Sequence, residues 1–447
     1  CDGACAPASL GNLSVGCEVY PTGNASADDS DFRFGVAIAN GGADVASVTI
    51  DGGALVGALP VDVPAASART VALPWISALK ACTSSGQPEC LTISAQSVLS
   101  AGGAYRVRAT RPVSVYQLTP LDTTATGNRT VAAPDFSLLL PVNALGTEVR
   151  VASLRTFQLA ADLVFPSTVT ITATANNTRV IVTTTTDIAA DDVPAITAGV
   201  PTEITLHQGD ALELLAYAGD LTGTRVVADH PVQVLGGHFC TEVPVGTGYC
   251  DHLEESLPPR GALGTQYFLA PPTLPNVPNA VRRIRIIADE DNTTVTYVPG
   301  NPSPITLASQ GEFIELLSAE AISVSSDRPV LVAEVLRGGA ATPSNQGDPS
   351  LTIAQAASRF RTAYSFYAHP GYSTGFVTIV APMTATLTLD GAPVPALTPI
   401  GAGSFGFVQV PLTLVGDGYH VATGSEPFGM SVYGYRSYAS YWFPAGL

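Results

Sequence analysis

A short motif recurs four times along this chain: an alternating strand, a turn with a proline, and a second alternating strand. Pro112, Pro231, Pro329 and Pro427 mark the four copies, and the last three lie 98 residues apart. Proline fits the start of the second strand because it fixes φ and gives up only one ladder hydrogen bond there. The repeat therefore predicts four similar β units of roughly 100 residues each.

Strand patterns fill most of the chain between these motifs. Apolar residues alternate with Thr, Arg or Tyr in residues 169–173, 283–287, 294–298 and 385–389, and 42 Gly and 35 Pro punctuate the sequence. Short helices are predicted only at 75–82 and 350–361. We expect an all-β fold in which the four pseudo-repeats form a closed β-propeller-like ring, because a ring leaves no exposed sheet edges. Tandem β-sandwiches are the alternative.

The repeats set the predicted domain boundaries. The predicted units are an N-terminal anchor segment with a disulfide loop (1–30), a first β repeat (31–135), a second with a stapled loop (136–260), a third (261–355) and a fourth (356–447). The fourth ends in an aromatic strand containing Tyr435, Tyr438, Tyr441, Trp442 and Phe443. We expect this strand to pack against the rest of the protein.

Six of the seven cysteines form three close sequence pairs: Cys5 with Cys17, Cys82 with Cys90, and Cys240 with Cys250. Such pairs without a CxxC motif predict three disulfides and an oxidising compartment. The seventh cysteine is Cys1. It predicts a bacterial lipoprotein that is held at the outer cell surface by a lipid on this residue.

Charge and hydropathy exclude two classes of partner. Only 13% of residues are charged and the formal net charge is −17, which excludes a nucleic-acid-binding surface. No apolar run is long enough to span a bilayer, so we expect membrane contact only through the lipid on Cys1.

Six motifs follow one another along the chain: Gly237-His-Phe-Cys240, Cys250-Asp-His-Leu-Glu-Glu-Ser-Leu-Pro-Pro259, Leu263-Gly-Thr-Gln-Tyr267, Asp291-Asn-Thr-Thr-Val295, Gly347-Asp-Pro-Ser350 and Tyr433-Gly-Tyr435. On these motifs, the chain from about residue 130 to residue 446 resembles the IgGFc-binding protein N-terminal domain family. The resemblance implies an extracellular protein. Fc binding is implied by the family name, and no residue here is assigned as an Fc contact.

Two kinds of metal site are conceivable from the residues. His238, Cys240, Cys250 and His252 form a zinc-compatible set, although a disulfide between the two cysteines is favoured in an oxidising compartment. The acidic stretches Asp28-Asp-Ser-Asp31 and Asp289-Glu-Asp-Asn292 offer oxygen ligands for calcium, but such runs are more often solvated turns. We expect no cofactor. The templates GxSxG, HExxH and GxxxxGK[ST] do not occur.

These observations predict a non-enzymatic, extracellular or cell-surface binding or adhesion protein that presents loops on a disulfide-stapled β scaffold. The long loops are residues 119–135, 237–262 and 338–355. Candidate binding residues in the stapled loop are Asp251, His252, Glu254 and Glu255, with a protein or glycan as the expected ligand. One alternative is a self-associating subunit of a surface coat or filament. Another is a metal-dependent hydrolase centred on His238, Cys240, Cys250 and His252.

Overall fold

The structure is a computed structural model that describes residues 3–27, 32–81, 95–122, 134–248, 250–274, 277, 279–342 and 346–446. Strands dominate it, which confirms the all-β prediction. The α-helices in the described residues are single turns, α1 (Pro7–Leu10) and α2 (Ser77–Lys80). Short 3-10 turns lie at Gly3–Cys5, Arg260–Ala262, Gly339–Ala341 and Ala357–Arg359.

The strands form four large sheets, one for each repeat. The first contains β1 (Gly16–Val19), β2 (Phe34–Asn40), β3 (Ala46–Gly52), β4 (Leu59–Val63), β5 (Ser67–Leu73), β7 (Tyr105–Thr119) and β8 (Asp135–Leu139); β6 (Val98–Ser100) joins the second sheet instead. The second contains β9 (Gly146–Arg150), β12 (Ser167–Ala173), β13 (Thr178–Thr183), β14 (Thr202–Leu206), β15 (Ala211–Ala216), β16 (Arg225–Thr241) and β17 (Asp251–Ser256), with β10 (Phe157–Ala160) and β11 (Leu163–Phe165) as a separate hairpin.

The third and fourth sheets repeat this order. The third contains β18 (Gly264–Leu269), β19 (Arg282–Ala288), β20 (Thr293–Val298), β21 (Asn301–Leu307), β22 (Phe313–Ser318), β23 (Ile322–Val335) and β24 (Leu351–Ile353). The fourth contains β25 (Arg361–Tyr367), β26 (Thr374–Pro382), β27 (Leu387–Leu389), β28 (Ala392–Pro393), β29 (Thr398–Pro399), β30 (Phe405–Leu412), β31 (Tyr419–Arg436) and β32 (Ala439–Pro444).

One long strand organises each repeat and carries the repeated proline: β7, β16, β23 and β31. The sequence predicted two strands and a turn here, and the structure has one continuous strand. The ladder to the neighbouring strand shifts register beside the proline, as between Gly16 and Glu18 of β1. A missing N–H is tolerated at such a bulge, so the chain continues through the proline without a turn.

The long strand changes partners at its proline. In the first repeat its first half lies between β1 and β3, and its second half lies between β2 and β8. The other three repeats have the same pairing. Each repeat is therefore a small, sandwich-like pair of half-sheets that share one strand.

The last strands of the four repeats, β8, β17, β24 and β32, form the hub of the molecule. β8 packs against β17, β17 against β24, β24 against β32, and β32 against β8. All residues of these four strands are buried. The four sandwich-like units are thus closed into a ring, which combines the two architectures that the sequence left open.

Hydrophobic clusters cross the boundaries between neighbouring repeats. One large cluster joins the second and third repeats through Leu154, Val234, Leu331 and others, and another joins the first and fourth through Tyr116, Phe136 and Tyr441 among others. The ring is consequently held by shared apolar cores as well as by the hub. The aromatic C-terminal strand is the hub strand β32, and its Tyr441, Trp442 and Phe443 are buried.

The sheets differ slightly from the repeat boundaries that the sequence predicted. The first sheet runs from Gly16 to Leu139, so β1 precedes the boundary at residue 31 and β8 follows the one at 135. The predicted helix at 350–361 is wrong, because this segment contains β24 and a 3-10 turn.

Three sequence predictions concern residues outside the described part of the chain and stay predictions. They are Cys1, the Cys82–Cys90 pair and the acidic stretch 28–31. Within the described part of the chain, no helix is long and apolar enough to cross a membrane.

Candidate functional site

The stapled loop connects the long strand β16 to the hub strand β17. A disulfide joins Cys240 to Cys250, whose Cα atoms are 5.1 Å apart. Inside the loop, one carboxylate oxygen of Glu242 accepts hydrogen bonds from the backbone N–H groups of Gly246 (2.6 Å) and Thr247 (3.1 Å). Val245 stands at the tip and is 66% exposed. The loop is therefore fixed at its base by a covalent bond and at its tip by a carboxylate.

The disulfide removes the zinc alternative, because both sulfur ligands are consumed. His238 is also engaged: its Nδ1 accepts the Cys240 backbone N–H at 3.2 Å, and its Nε2 lies 3.1 Å from the Arg155 carbonyl oxygen. Burial lowers the pKa of His238 to about 3, so its ring is neutral. A second disulfide joins Cys5 to Cys17 at the start of the first repeat.

The four candidate binding residues of this region are not in an exposed loop, and that expectation is wrong. Asp251, His252, Glu254 and Glu255 belong to the hub strand β17 and have no solvent exposure. Glu254 accepts hydrogen bonds at 2.7 to 3.1 Å from Gln117, Thr119 and Ser137, all in the first repeat. Glu254 thus joins the second repeat to the first, and none of the four side chains can contact a ligand from this buried position.

Asp135 is the corresponding polar residue at the start of β8. Its carboxylate accepts hydrogen bonds from the Ser350 hydroxyl (2.6 Å) and from the backbone N–H groups of Glu254 (3.1 Å) and Leu351 (3.2 Å). Burial raises the pKa of Asp135 well above its usual range, and these hydrogen bonds oppose that shift. One side chain thus links the first, second and third repeats.

Four connections join the long strands to the hub strands. Their described residues form what we call the loop face: 120–122 and 134, 242–248 and 250, 336–342 and 346–350, and 437–438. Each leaves its long strand at the same end, so the ring places all four on one side. Neighbouring connections touch: the Gly338 N–H donates to the Val243 carbonyl oxygen at 2.8 Å, and the Gly347 N–H donates to the Arg436 carbonyl oxygen at 3.1 Å. The second, third and fourth connections are therefore in contact with one another.

The loop face presents two large side chains in its described part, Val245 and the 42% exposed Tyr438. Sequence reasoning identified the first three connections as long loops and missed the fourth, because a two-residue turn carries no length signal. Tyr438 has a φ of 55°, which is uncommon for a tyrosine and marks this tight turn. No sequence pattern indicated that all four connections lie together.

The predicted calcium stretch at Asp289 is held by arginine instead. Arg260 places Nε 2.7 Å from Asp289 and Nη2 2.6 Å from Glu290, while Asp291 accepts the Gln310 backbone N–H at 2.8 Å. Guanidinium groups therefore neutralise the carboxylates that would have bound the cation. Among the described residues, no group of three or more His, Cys, Asp or Glu is arranged to hold a metal ion.

A cavity of about 500 Å³ lies between the second and third repeats. Arg260 and Glu148 face each other in it at 3.5 Å, and no Ser, Cys or His is among its described lining residues. The lining includes Asn12, Leu140, Gly146, Glu148, Pro259, Arg260, Pro329 and Arg359.

Comparison with known proteins agrees with the resemblance read from the motifs. A family model described as IgGFc binding protein matches residues 135–434. A protein from Homo sapiens named IgGFc-binding protein is 28% identical over 243 residues, which are 53% of this chain. The matched part is only 4% of the length of that relative. The family match includes the hub strands β8, β17 and β24 and the second and third connections of the loop face; β32 and the fourth connection follow its last residue.

Proposed function

The chain belongs to the IgGFc-binding protein family, and from that premise we propose that it is a non-enzymatic extracellular binding protein that recognises a protein partner through its loop face. The observation that carries the proposal is the convergence of four connections on one side of a closed ring. Loops held by a rigid scaffold are the usual place for recognition, because the scaffold removes part of the ordering cost of binding.

Two features of the loop face support recognition of a protein. The disulfide and the Glu242 carboxylate fix the stapled loop before any partner binds. Val245 and Tyr438 supply an aliphatic and an aromatic side chain, and aromatic residues are enriched at the centres of protein interfaces. The relative's name makes immunoglobulin Fc the first partner to test.

The compartment follows from the disulfides. Cys5–Cys17 and Cys240–Cys250 persist in an oxidising environment, which supports an extracellular location. Attachment through a lipid on Cys1 and a role in adhesion stay predictions. An intact mass of the N-terminal peptide tests the first of them.

A binding role is also supported by the polar residues that could act in catalysis, because each is neutral, oxidised or engaged in structural hydrogen bonds. His238 is neutral and buried, the two described cysteine pairs that could supply thiols are oxidised, and the carboxylates of the hub serve as hydrogen-bond acceptors. The net charge of −17 opposes a filament built by like surfaces, because copies of the chain repel each other at low salt.

Binding of human IgG Fc to the immobilised chain tests the proposal. We expect saturable binding that Val245→Asp weakens by about tenfold or more, since a buried charge at an interface centre is unfavourable. Val45→Asp is the matched control, because Val45 is 52% exposed and is not part of the loop face; its neighbour Asp44 pairs with Arg111, beside the repeated Pro112. Absence of Fc binding, or equal effects of the two variants, contradicts the proposal.

A further inference from the structure

Four strands occupy the same outer position in the four repeats: β5, β15, β22 and β30. Each pairs on its inner side with the strand beside the second half of the long strand, namely β2, β12, β19 and β26. The outer side of such a strand exposes unpaired N–H and C=O groups unless something covers it.

Two of these four strands are covered by a further strand, and a third, β5, has one backbone N–H bonded to another repeat. β15 pairs with β6, a segment that the first repeat contributes, and the Leu215 N–H donates to the Ser97 hydroxyl at 3.0 Å. β30 pairs with β29. In β5, the Ala68 N–H donates to a carboxylate oxygen of Asp417 in the fourth repeat at 2.9 Å.

β22 is the exception, and we call its outer side the open edge. Within the described residues no strand pairs with this side. All residues of β15 are buried, whereas those of β22 alternate between half-buried and exposed, and Leu317 is 58% exposed. In the described part of the chain, the third repeat therefore has no counterpart of the strand that β6 supplies to the second.

The register identifies which backbone groups the open edge presents. Glu213 of β15 and Glu315 of β22 hold equivalent positions, opposite Thr170 and Arg285. Leu317 is thus equivalent to Leu215, whose N–H points outward to Ser97. The backbone groups of alternate residues point the same way in a strand. Phe313, Glu315 and Leu317 therefore direct their N–H and C=O groups outward.

The open edge also lacks proline and basic residues, two of the devices that protect exposed strands. Proline lies in the outermost strands β4, β21 and β28 as Pro60, Pro304 and Pro393, and Pro201 directly precedes β14. β22 contains no proline and no lysine or arginine. An exposed edge without such residues is open to strand addition.

We propose that the open edge binds an extended, basic segment of a partner protein as an added antiparallel strand, in the way that β6 covers β15. Charge selects the partner: Glu312 and Glu320 are exposed just outside the two ends of β22, and the net charge of the chain is −17, whereas Glu315 is already paired with Arg285. Lysine or arginine at the ends of the segment complements these carboxylates, whereas a second copy of this acidic chain is repelled. This inference does not depend on the loop face.

The test uses the full chain and a synthetic peptide in which the β6 sequence Ser97-Val98-Leu99-Ser100 is flanked by lysines. A titration monitored by fluorescence anisotropy measures the affinity of the peptide, and hydrogen exchange locates the peptide on the chain. We expect saturable binding and slower exchange of the Phe313, Glu315 and Leu317 amides, with affinity decreasing as salt rises.

Leu317→Pro removes an outward N–H and leaves the ladder to β19 intact, so it should weaken peptide binding by about tenfold. Leu317→Thr is the matched control, because it shortens the side chain and keeps the N–H; its affinity should stay within about threefold of the wild type. Unchanged exchange at the three amides, or equal affinities of the two variants, overturns the proposal. A dimer of the chain that Leu317→Pro dissolves would assign the edge to a second copy and also overturn it.

Discussion

Ser350 donates a hydrogen bond of 2.6 Å from its hydroxyl to Oδ1 of Asp135, and this bond joins the third repeat to the first across the hub. The two residues are neighbours only because the ring is closed. Asp135 also accepts backbone N–H groups of Glu254 and Leu351. The hub thus has a polar centre within a largely apolar protein, and that centre specifies how the repeats are assembled.

Replacement of Asp135 by Ala should lower the free energy of unfolding by about 3 kcal/mol or more, because three buried donors lose their acceptor. Ser350→Ala should cost about 1 kcal/mol. In a double-mutant cycle measured by urea unfolding, the two changes should couple by about 1–2 kcal/mol. Strictly additive effects would contradict the contact across the hub.

Removal of the Cys240–Cys250 disulfide by paired serine substitutions should destabilise the protein by about 2–3 kcal/mol, as expected for a short closed loop. Hydrogen exchange should also accelerate at Gly246 and Thr247, whose amides depend on Glu242. Paired replacement of Cys5 and Cys17 is the control, since it removes a disulfide and leaves the loop face unchanged. An unchanged melting temperature and loop exchange in the Cys240 and Cys250 variant would contradict the role of the staple.

The pH dependence of stability should reveal Glu213. Burial raises the pKa of Glu213 from 4.5 to about 8, while its Oε1 accepts the Ala25 N–H at 2.8 Å. The folded state therefore keeps a proton that the unfolded state releases. Glu213 makes its full contribution to the free energy of unfolding below about pH 4.5. As the pH rises from there to about 8, this contribution decreases by about 1.4 kcal/mol per pH unit.

Glu213→Gln should remove this part of the decline, because an amide keeps the acceptor and does not ionise. Urea midpoints measured from pH 5 to pH 9 should converge at the acidic end and favour the variant at the basic end. If Glu213→Gln retains the full slope, the assignment to Glu213 is wrong.

A glycine in the long strand β16 allows the hub strand to approach closely. A Cβ on Gly237 would lie 1.8 Å from the Leu253 carbonyl oxygen, so the backbone would have to move. Gly237→Ala should therefore cost about 3 kcal/mol or more in thermal or urea unfolding. Gly261→Ala is the control, because no atom lies within 4 Å of its added Cβ. Similar stabilities of the two variants would contradict the packing of β17 on β16.

The four repeats were predictable because their signals are local. Alternation and the recurring proline mark each long strand, and short sequence separations mark the disulfides. The position of Asp251, His252, Glu254 and Glu255 was not predictable, because polar residues next to a loop are usually exposed. Glu254 is buried since Gln117, Thr119 and Ser137 provide its donors, and these residues come from another repeat. The crossing of β6 into the second sheet likewise has no local pattern.

Hydrogen exchange of the chain with and without human IgG Fc tests the central claim most directly, because it locates the binding surface without a substitution. The account predicts that Fc slows exchange in residues 242–248, 336–342 and 436–439 and leaves exchange around Pro112 and Pro427 unchanged. No protection anywhere, or protection that excludes these three segments, would contradict recognition through the loop face.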